Sequence, residues 1–225
     1  MSRVATCGLT TLDLVQYVDH LPGPDEKVQA HEARLEFGGP AANAAFTARA
    51  LGVRSRLITC LGAGPLGAAI TGQLADTGVE VVDAAAGHEW QPPLSSVAVT
   101  DAGRAVISVN AAASPATRVS AAVLTDCAAL LVDGHHLALC IDAAATARLA
   151  GVPVLLDGGS WKTGLERLIP LVDAAVLSAD FRPPEPIEWG SRAFAVTHGH
   201  HAIEVISDGF QGSVEVEPVA AEESA

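Results

Sequence analysis

Apolar and polar positions follow two different periods along this chain. Residues 3–8, Arg3-Val4-Ala5-Thr6-Cys7-Gly8, form a short apolar run of strand length that ends on glycine. Residues 12–18 and 27–37 alternate with period two and are partly polar, the pattern of strands with one face in water. A turn rich in proline and glycine, Leu21-Pro22-Gly23-Pro24-Asp25, separates them. After Gly38-Gly39-Pro40 the period changes. Residues 41–51 are rich in alanine, follow a proline and stop at Gly52, which predicts a helix.

The same alternation of elements continues. Residues 56–61 read as a strand, 65–77 as a helix and 79–82 as a short strand. Residues 95–100 and 104–109 predict a hairpin around Asp101-Ala102-Gly103. Residues 128–132, 137–150 and 152–156 predict a strand–helix–strand unit. Two further strands are expected at 171–177 and 192–197, and a hairpin at 203–207 and 213–216 around Asp208-Gly209. Residues 217–225 are polar and are expected to fray. Such alternation predicts one α/β domain with a mainly parallel sheet and helices on both faces. The half-wet strands near 12–37 and 95–109 do not suit a doubly covered sheet, so they are expected to form a small separate one.

Composition narrows the class. Hydrophobic residues make up 49% and charged residues 17%, which argues for a packed core and against disorder. The longest apolar stretches are strand-sized, such as Val152-Pro153-Val154-Leu155-Leu156. None approaches the roughly 18 residues of a membrane span. The N-terminal run is too brief for a signal peptide, so a cytoplasmic protein with no membrane contact is expected. Net charge is −13, the only lysines are Lys27 and Lys162, and the arginines are scattered. No basic stripe for nucleic acid is present. Cys7, Cys60, Cys127 and Cys140 form no Cys-x-x-Cys pair and read as small buried hydrophobes, with no zinc-ligand spacing.

Three segments carry candidate chemistry. Leu61-Gly62-Ala63-Gly64-Pro65-Leu66-Gly67 fits Gly-x-Gly-x-x-Gly, follows a strand and precedes a helix, and Asp83 ends the next strand. That is the layout of a dinucleotide site with an acid for the ribose, and it supports an NAD-binding oxidoreductase. Against it, several elements precede the motif, and Pro65 removes one N–H a pyrophosphate would use. In Gly38-Gly39-Pro40-Ala41-Ala42-Asn43 the two glycines allow a ligand close to the backbone, and Asn43 offers a donor and an acceptor suited to sugar hydroxyls. A plain strand–turn–helix joint with a solvent-facing Asn43 fits the same residues. Asp13, just past the first strand, and Asp25, in the turn, could each accept two hydroxyl hydrogen bonds. Alone, each also suits a turn or surface position.

Taken in order, these segments resemble the ribokinase-like (PfkB) carbohydrate kinases. The resemblance rests on Gly8-Leu9-Thr10-Thr11-Leu12-Asp13, the Pro/Gly turn to Asp25, Gly38-Gly39 with Asn43, Leu51-Gly52 and the glycines from Gly62 to Gly67. Val132-Asp133-Gly134-His135-His136, Asp157-Gly158-Gly159-Ser160-Trp161, Leu177-Ser178-Ala179-Asp180-Phe181 and Val196-Thr197-His198-Gly199 are similar to segments of ketohexokinase-like members. The resemblance implies a three-layer α/β fold with a small β lid, and ATP-dependent transfer of phosphate to a sugar hydroxyl with Mg2+. It implies sugar contacts from Asp13, Asp25, Gly38, Gly39 and Asn43, and nucleotide contacts from Ser178, Asp180, Thr197 and Gly199. Asp133 falls where the family often has an acid near phosphate and metal. The lid strands imply a homodimer. Gly64 stands where the family commonly has an acidic residue.

In that family a Gly-Ala-Gly-Asp motif follows the last hairpin, opening a helix that stabilises the phosphoryl group and supplying the base. The resemblance therefore implies that this motif falls beyond Ala225 and that residues 1–225 alone do not turn over. A piece of a full kinase, an interrupted gene, and a sugar-binding or regulatory homologue without the chemistry all fit that expectation.

Overall fold

The computed structural model describes residues 3–109, 115, 117–187, 193–207 and 210–217. Their strands lie in two sheets. The larger contains β1 (Arg3–Cys7), β4 (Arg54–Thr59), β5 (Glu80–Asp83), β8 (Cys127–Val132), β9 (Val154–Gly158), β10 (Ala174–Ser178), β11 (Ala193–His198), β12 (His201–Ser207) and β13 (Phe210–Val214). Its order is β13-β12-β11-β10-β9-β8-β1-β4-β5. Every pairing from β5 to β11 is parallel, and β12 and β13 close the edge as an antiparallel hairpin. The smaller sheet holds β2 (Thr11–Tyr17), β3 (Glu32–Gly38), β6 (Leu94–Thr100) and β7 (Gly103–Ser108), in the order β3-β2-β6-β7.

Helices α1 (Pro40–Ala50), α2 (Pro65–Ala75) and α3 (Leu137–Leu149) link the strands. Proline opens α1 and α2, where the missing N–H costs nothing because first-turn amides have no intrahelical partner. Adjacent residues of the central strands point to opposite faces, and two apolar clusters follow. Ile58, Leu130, Val132, Val154 and Leu156 pack with Leu139, Cys140 and Ala143 of α3. Leu57 and Leu61 pack with Ala41, Ala42 and Ala45 of α1 and Ile70 and Leu74 of α2. All four cysteines are buried, and none is in a disulfide. On the face of β8–β10 away from α3, Leu131 and Leu155 are half-buried and Val176 is exposed. No helix among the described residues is long and apolar enough to cross a membrane.

The two-sheet layout agrees with the pattern of wet and dry strands, and several boundaries move. Residues 27–31 belong to the loop before β3 rather than to the strand. The helix expected to reach residue 77 ends at Ala75. The strand expected from residue 171 starts at Ala174, because Ile169–Leu171 winds into a short 3-10 turn that begins around Pro170. Arg192, the Asp208-Gly209 turn and residues 218–225 lie outside the described residues.

Candidate active site at the carboxyl ends of the strands

Parallel strands present all their carboxyl ends at one edge, and in open α/β sheets ligands bind there. The candidate residues of this chain gather along that edge. At its centre is the junction of β1, β8 and α1. Asp133 follows β8 and is 2% exposed. One carboxylate oxygen accepts the amides of Leu9 (2.8 Å) and Ala41 (3.1 Å), and the other accepts that of His135 (2.8 Å). Asp133 thus ties the turn after β1 to the first turn of α1. A Cβ at Gly8 would run into this carboxylate. Burial pushes the Asp133 carboxyl up to about 7, against the Leu9 and His135 hydrogen bonds, which pull it down. The resemblance implies phosphate and metal near Asp133; the structure turns its oxygens inward onto backbone amides. Among the described residues there is also no group of three or more His, Cys, Asp or Glu side chains able to hold a metal ion. The described residues around Asp133 therefore do not fit a Mg2+ site.

Beside this junction, Asp13 of β2 and Gly38 of β3 form the second part of the site. Register pairs Asp13 with Glu36 and Thr11 with Gly38, so Gly38 leaves room where a side chain would strike Asp13. On the other side Asp13 pairs with Ser95, whose hydroxyl donates to Ser108 (3.0 Å). Asp13 Oδ1 is buried and has no hydrogen-bond partner. A buried carboxylate oxygen without a donor is costly, so the position is suited to a donor from outside the chain. Gly39 follows with φ 94° and packs on the Leu9 carbonyl and Thr10, a close approach only glycine allows. Asn43 lies one turn into α1; its amide donates to the Gly39 carbonyl (2.9 Å) and its side chain is exposed beside Glu36, Phe37 and Phe46.

Asp25 does not join this group. It is exposed in the 18–31 loop with φ 59°. Leu21, Pro22, Glu26, Lys27 and Val28 of that loop line a depression with Gln16, Ser96, Ala98 and Ile107. Those strand positions alternate with Asp13 and Ser95, so within one chain the loop covers the opposite face of the small sheet. The expected convergence of Asp13 and Asp25 on one cleft is corrected accordingly.

Towards β11 the edge changes character. Ser178 and Thr197 end neighbouring strands in register. Ser178 Oγ accepts the Asp180 amide (3.1 Å), the Asp180 side chain is exposed, and the Thr197 carbonyl accepts the Ala179 amide (3.0 Å). Gly199 follows with φ 66°, and nothing lies within 4 Å of the Cβ position it leaves empty. Thr197 Oγ1 donates to the Leu177 carbonyl (3.4 Å), so the four expected nucleotide residues lie together on one open ledge with the two hydroxyls already engaged and the Asp180 side chain exposed.

Between the two parts lie the carboxyl end of β9, which carries Asp157, and the loop after it, which carries Lys162. Sequence reasoning gave neither a role. The signal available was position: polar residues at or just after the carboxyl end of a parallel strand. Burial raises the Asp157 carboxyl, and it lowers the Lys162 ammonium against the pull of Asp133 and Asp157. His136, also unassigned, is 3% exposed in the left-handed conformation (φ 49°), and both its ring nitrogens lack partners. Burial pushes it down to about 4.

The glycine fingerprint has a structural explanation. Asp83 accepts the amides of Leu61 (2.8 Å), Gly62 (3.0 Å) and Ala85 (2.9 Å). A Cβ at Gly62 would strike the Trp90 backbone, and one at Gly67 the Leu61 carbonyl. The acid expected to hold a ribose is engaged by backbone, and two of the fingerprint's glycines serve close internal packing.

Residues 1–180 match the pfkB family carbohydrate kinase model. The chain belongs to that family. It is 39% identical over 62 residues to a nucleoside kinase from Methanocaldococcus jannaschii, a stretch that spans 28% of this chain and only 20% of that protein. Among solved structures, an Agrobacterium tumefaciens protein assigned as a ribokinase superimposes with a TM-score of 0.84 at 22% identity, covering 98% of this chain and 78% of its own. Arabidopsis thaliana ribokinase, solved with ribose and ATP, superimposes with a TM-score of 0.75 at 19% identity, covering 99% and 80%.

Proposed function

We propose that this chain recognises the sugar and nucleotide of an ATP-dependent kinase that phosphorylates a sugar or nucleoside hydroxyl. The observation that carries the reading is Asp13 Oδ1, a buried carboxylate oxygen without a donor, set over Gly38 where the small sheet meets the main one. A sugar hydroxyl would supply the missing hydrogen bond. The small sheet would cover the sugar, Gly38 and Gly39 would let it approach the backbone, and Asn43 would bond a further hydroxyl. Ser178, Asp180, Thr197 and Gly199 would line the phosphates of ATP. ATP supplies the phosphoryl group; the chain's own residues bind, orient and exclude water. The exposed Leu35 and Ile107, which register puts on one face of the small sheet, support pairing of two chains through it.

Thermal-shift and calorimetric titration of the chain test this reading. A pentose, ketose or nucleoside and ATP should each raise the melting temperature, because ligands that bind only the native state stabilise it. Stabilisation by NAD with no response to ATP or any sugar would replace kinase with dinucleotide enzyme.

A further inference from the structure

Lys162 occupies the gap between the two halves of the proposed site, and the fold holds it there from both sides. On the nucleotide side, the Trp161 ring meets Phe181 edge to face (5.7 Å), fixing the loop beside the end of β10. Gly158 packs against Leu177 and Phe181 at the same place. On the sugar side, the Leu165 amide donates to the Lys162 carbonyl (3.1 Å), and Leu165 lies where a Cβ at Gly134 would strike it. Gly164 likewise abuts Leu137, the first residue of α3. The loop is therefore packed against both strand ends.

The side chain itself is underused. Lys162 is half-buried, and its ammonium donates to the Ser160 carbonyl at 3.3 Å. It forms no ion pair within 4.0 Å among the described residues, although Asp133 and Asp157 act on it electrostatically. Asp133 is engaged by backbone amides, so it does not compete for the ammonium. A half-buried cation that the fold positions but does not pair is set to receive an anion from outside. The anion that bridges a nucleotide ledge and a hydroxyl cleft is the terminal phosphate of a nucleoside triphosphate.

We propose that Lys162 binds the transferable phosphate of ATP, holding it between the Ser178–Thr197 ledge and the Asp13–Gly38 cleft. This rests on the kinase reading. An ammonium there offsets charge on the phosphoryl oxygens without being a base.

Isothermal titration of wild type, K162Q, K162M and K162R with ATP, AMP and inorganic tripolyphosphate tests it. Loss of one charge-assisted contact should weaken ATP and tripolyphosphate by about 10-fold or more. AMP, which lacks the terminal phosphate, should bind both neutral variants within about twofold of wild type. K162R keeps the charge and should hold ATP within about threefold. Equal ATP affinity in wild type and a neutral variant overturns the role of Lys162 and leaves the kinase reading standing. So does an equal loss for ATP and AMP, which would mark Lys162 as structural. If the wild type binds none of the three ligands, the kinase reading falls and this inference with it. Melting temperatures show that each variant is folded, and K162M decides the question should K162Q not fold.

Discussion

The two ends of the central sheet manage charge in opposite ways. At the amino end, Arg3 and Arg56 each reach both Glu80 and Asp126, with Arg3–Glu80 at 2.9 Å and both Arg56 contacts at 2.8 Å. Four residues from β1, β4, β5 and the turn before β8 thus pin four strands together. At the carboxyl end the fold leaves polar groups unmatched. Asp13 Oδ1 and both nitrogens of His136 are buried without partners, and Lys162 donates only to the Ser160 carbonyl, with no ion pair among the described residues. Positive φ occurs at both ends, at Gly8, Gly39 and Gly134 on this one and at Gly52, Gly78 and Gly151 on the other, but the left-handed non-glycine His136 lies at the carboxyl end. The same strands carry both ends, so their packing does not explain the difference. The amino end is not fully satisfied either, since Arg3 Nε and Ser55 Oγ are buried without partners; the difference is that its four charged side chains find one another, whereas among the described residues the Asp13 carboxylate and the Lys162 ammonium form no ion pair.

Asp133, like Asp83 at the end of β5, is fully engaged by backbone amides at the carboxyl end, and breaking it should have the largest effect. Asp133→Ala leaves three amides without an acceptor, two of them in the buried turn and helix start. We expect a loss of about 3 kcal/mol by urea denaturation. Its titration has a definite sign. The folded-state carboxyl stands at about 7, above its ordinary 3.8, so the protonated form favours the fold and stability is lost as pH rises through 7. The histidines work the other way at lower pH. Burial holds His135 and His136 at about 4, so they cost stability as pH falls from 6.5. Between pH 6.5 and 8 the Asp133 contribution stands clear, and wild type should lose about 1 kcal/mol that Asp133→Asn does not. A flat wild-type profile over that window would remove Asp133 as a titrating group.

The amino-end network should matter less than its number of contacts implies. The Arg56 side chain is 9% exposed, but Glu80 and Asp126 are 46% and 48% exposed and remain near Arg3. Water compensates them partly when Arg56 is lost. Arg56→Leu should destabilise by about 1–3 kcal/mol and leave ATP and sugar affinity unchanged. A parallel loss of ligand affinity would show that the two ends are coupled and that the contrast is false.

Local patterns made half of this contrast visible in the sequence. Alternation in 12–18 and 95–109 marked a half-wet sheet, because a period of two survives whatever the partner strand is. The parallel pairing of β2 with β6 did not show, since Asp13 meets Ser95 across more than a helix and two strands of the main sheet. Asp13, Gly38 and Gly39 could be singled out because a glycine pair after a strand advertises a close approach. The resemblance made Asp133 an acid near phosphate and metal, and two of its three partners, the Leu9 and Ala41 amides, are 124 and 92 residues away in sequence and leave no mark beside it. Asp83 misled for the same reason. Its partners are backbone amides, which every residue type provides. Lys162 entered the sequence reading only as one of two lysines; its significance lies in what it fails to pair with, which only three dimensions show.

The smallest stability change should come from the residue with the largest functional one. Asp13 is half-buried and accepts nothing through Oδ1, so the fold gains little from that oxygen and bears the cost of keeping it dry. Asp13→Ala removes that cost along with some packing, and the two nearly cancel. Stability should change by no more than about 0.5 kcal/mol, and it could rise. Sugar affinity should fall by a few kcal/mol, on the order of 10²-fold, because the ligand hydroxyl that met the carboxylate would be buried unpaired. ATP affinity measured without sugar should not change, since the ledge at Ser178 and Thr197 lies several strands away in the sheet order. Paired thermal melts and calorimetry on one preparation separate these effects. A protein that melts several degrees lower yet binds sugar as before would make Asp13 a structural residue. The carboxyl edge would then be as self-sufficient as the amino edge, and the contrast between them would lose its functional meaning.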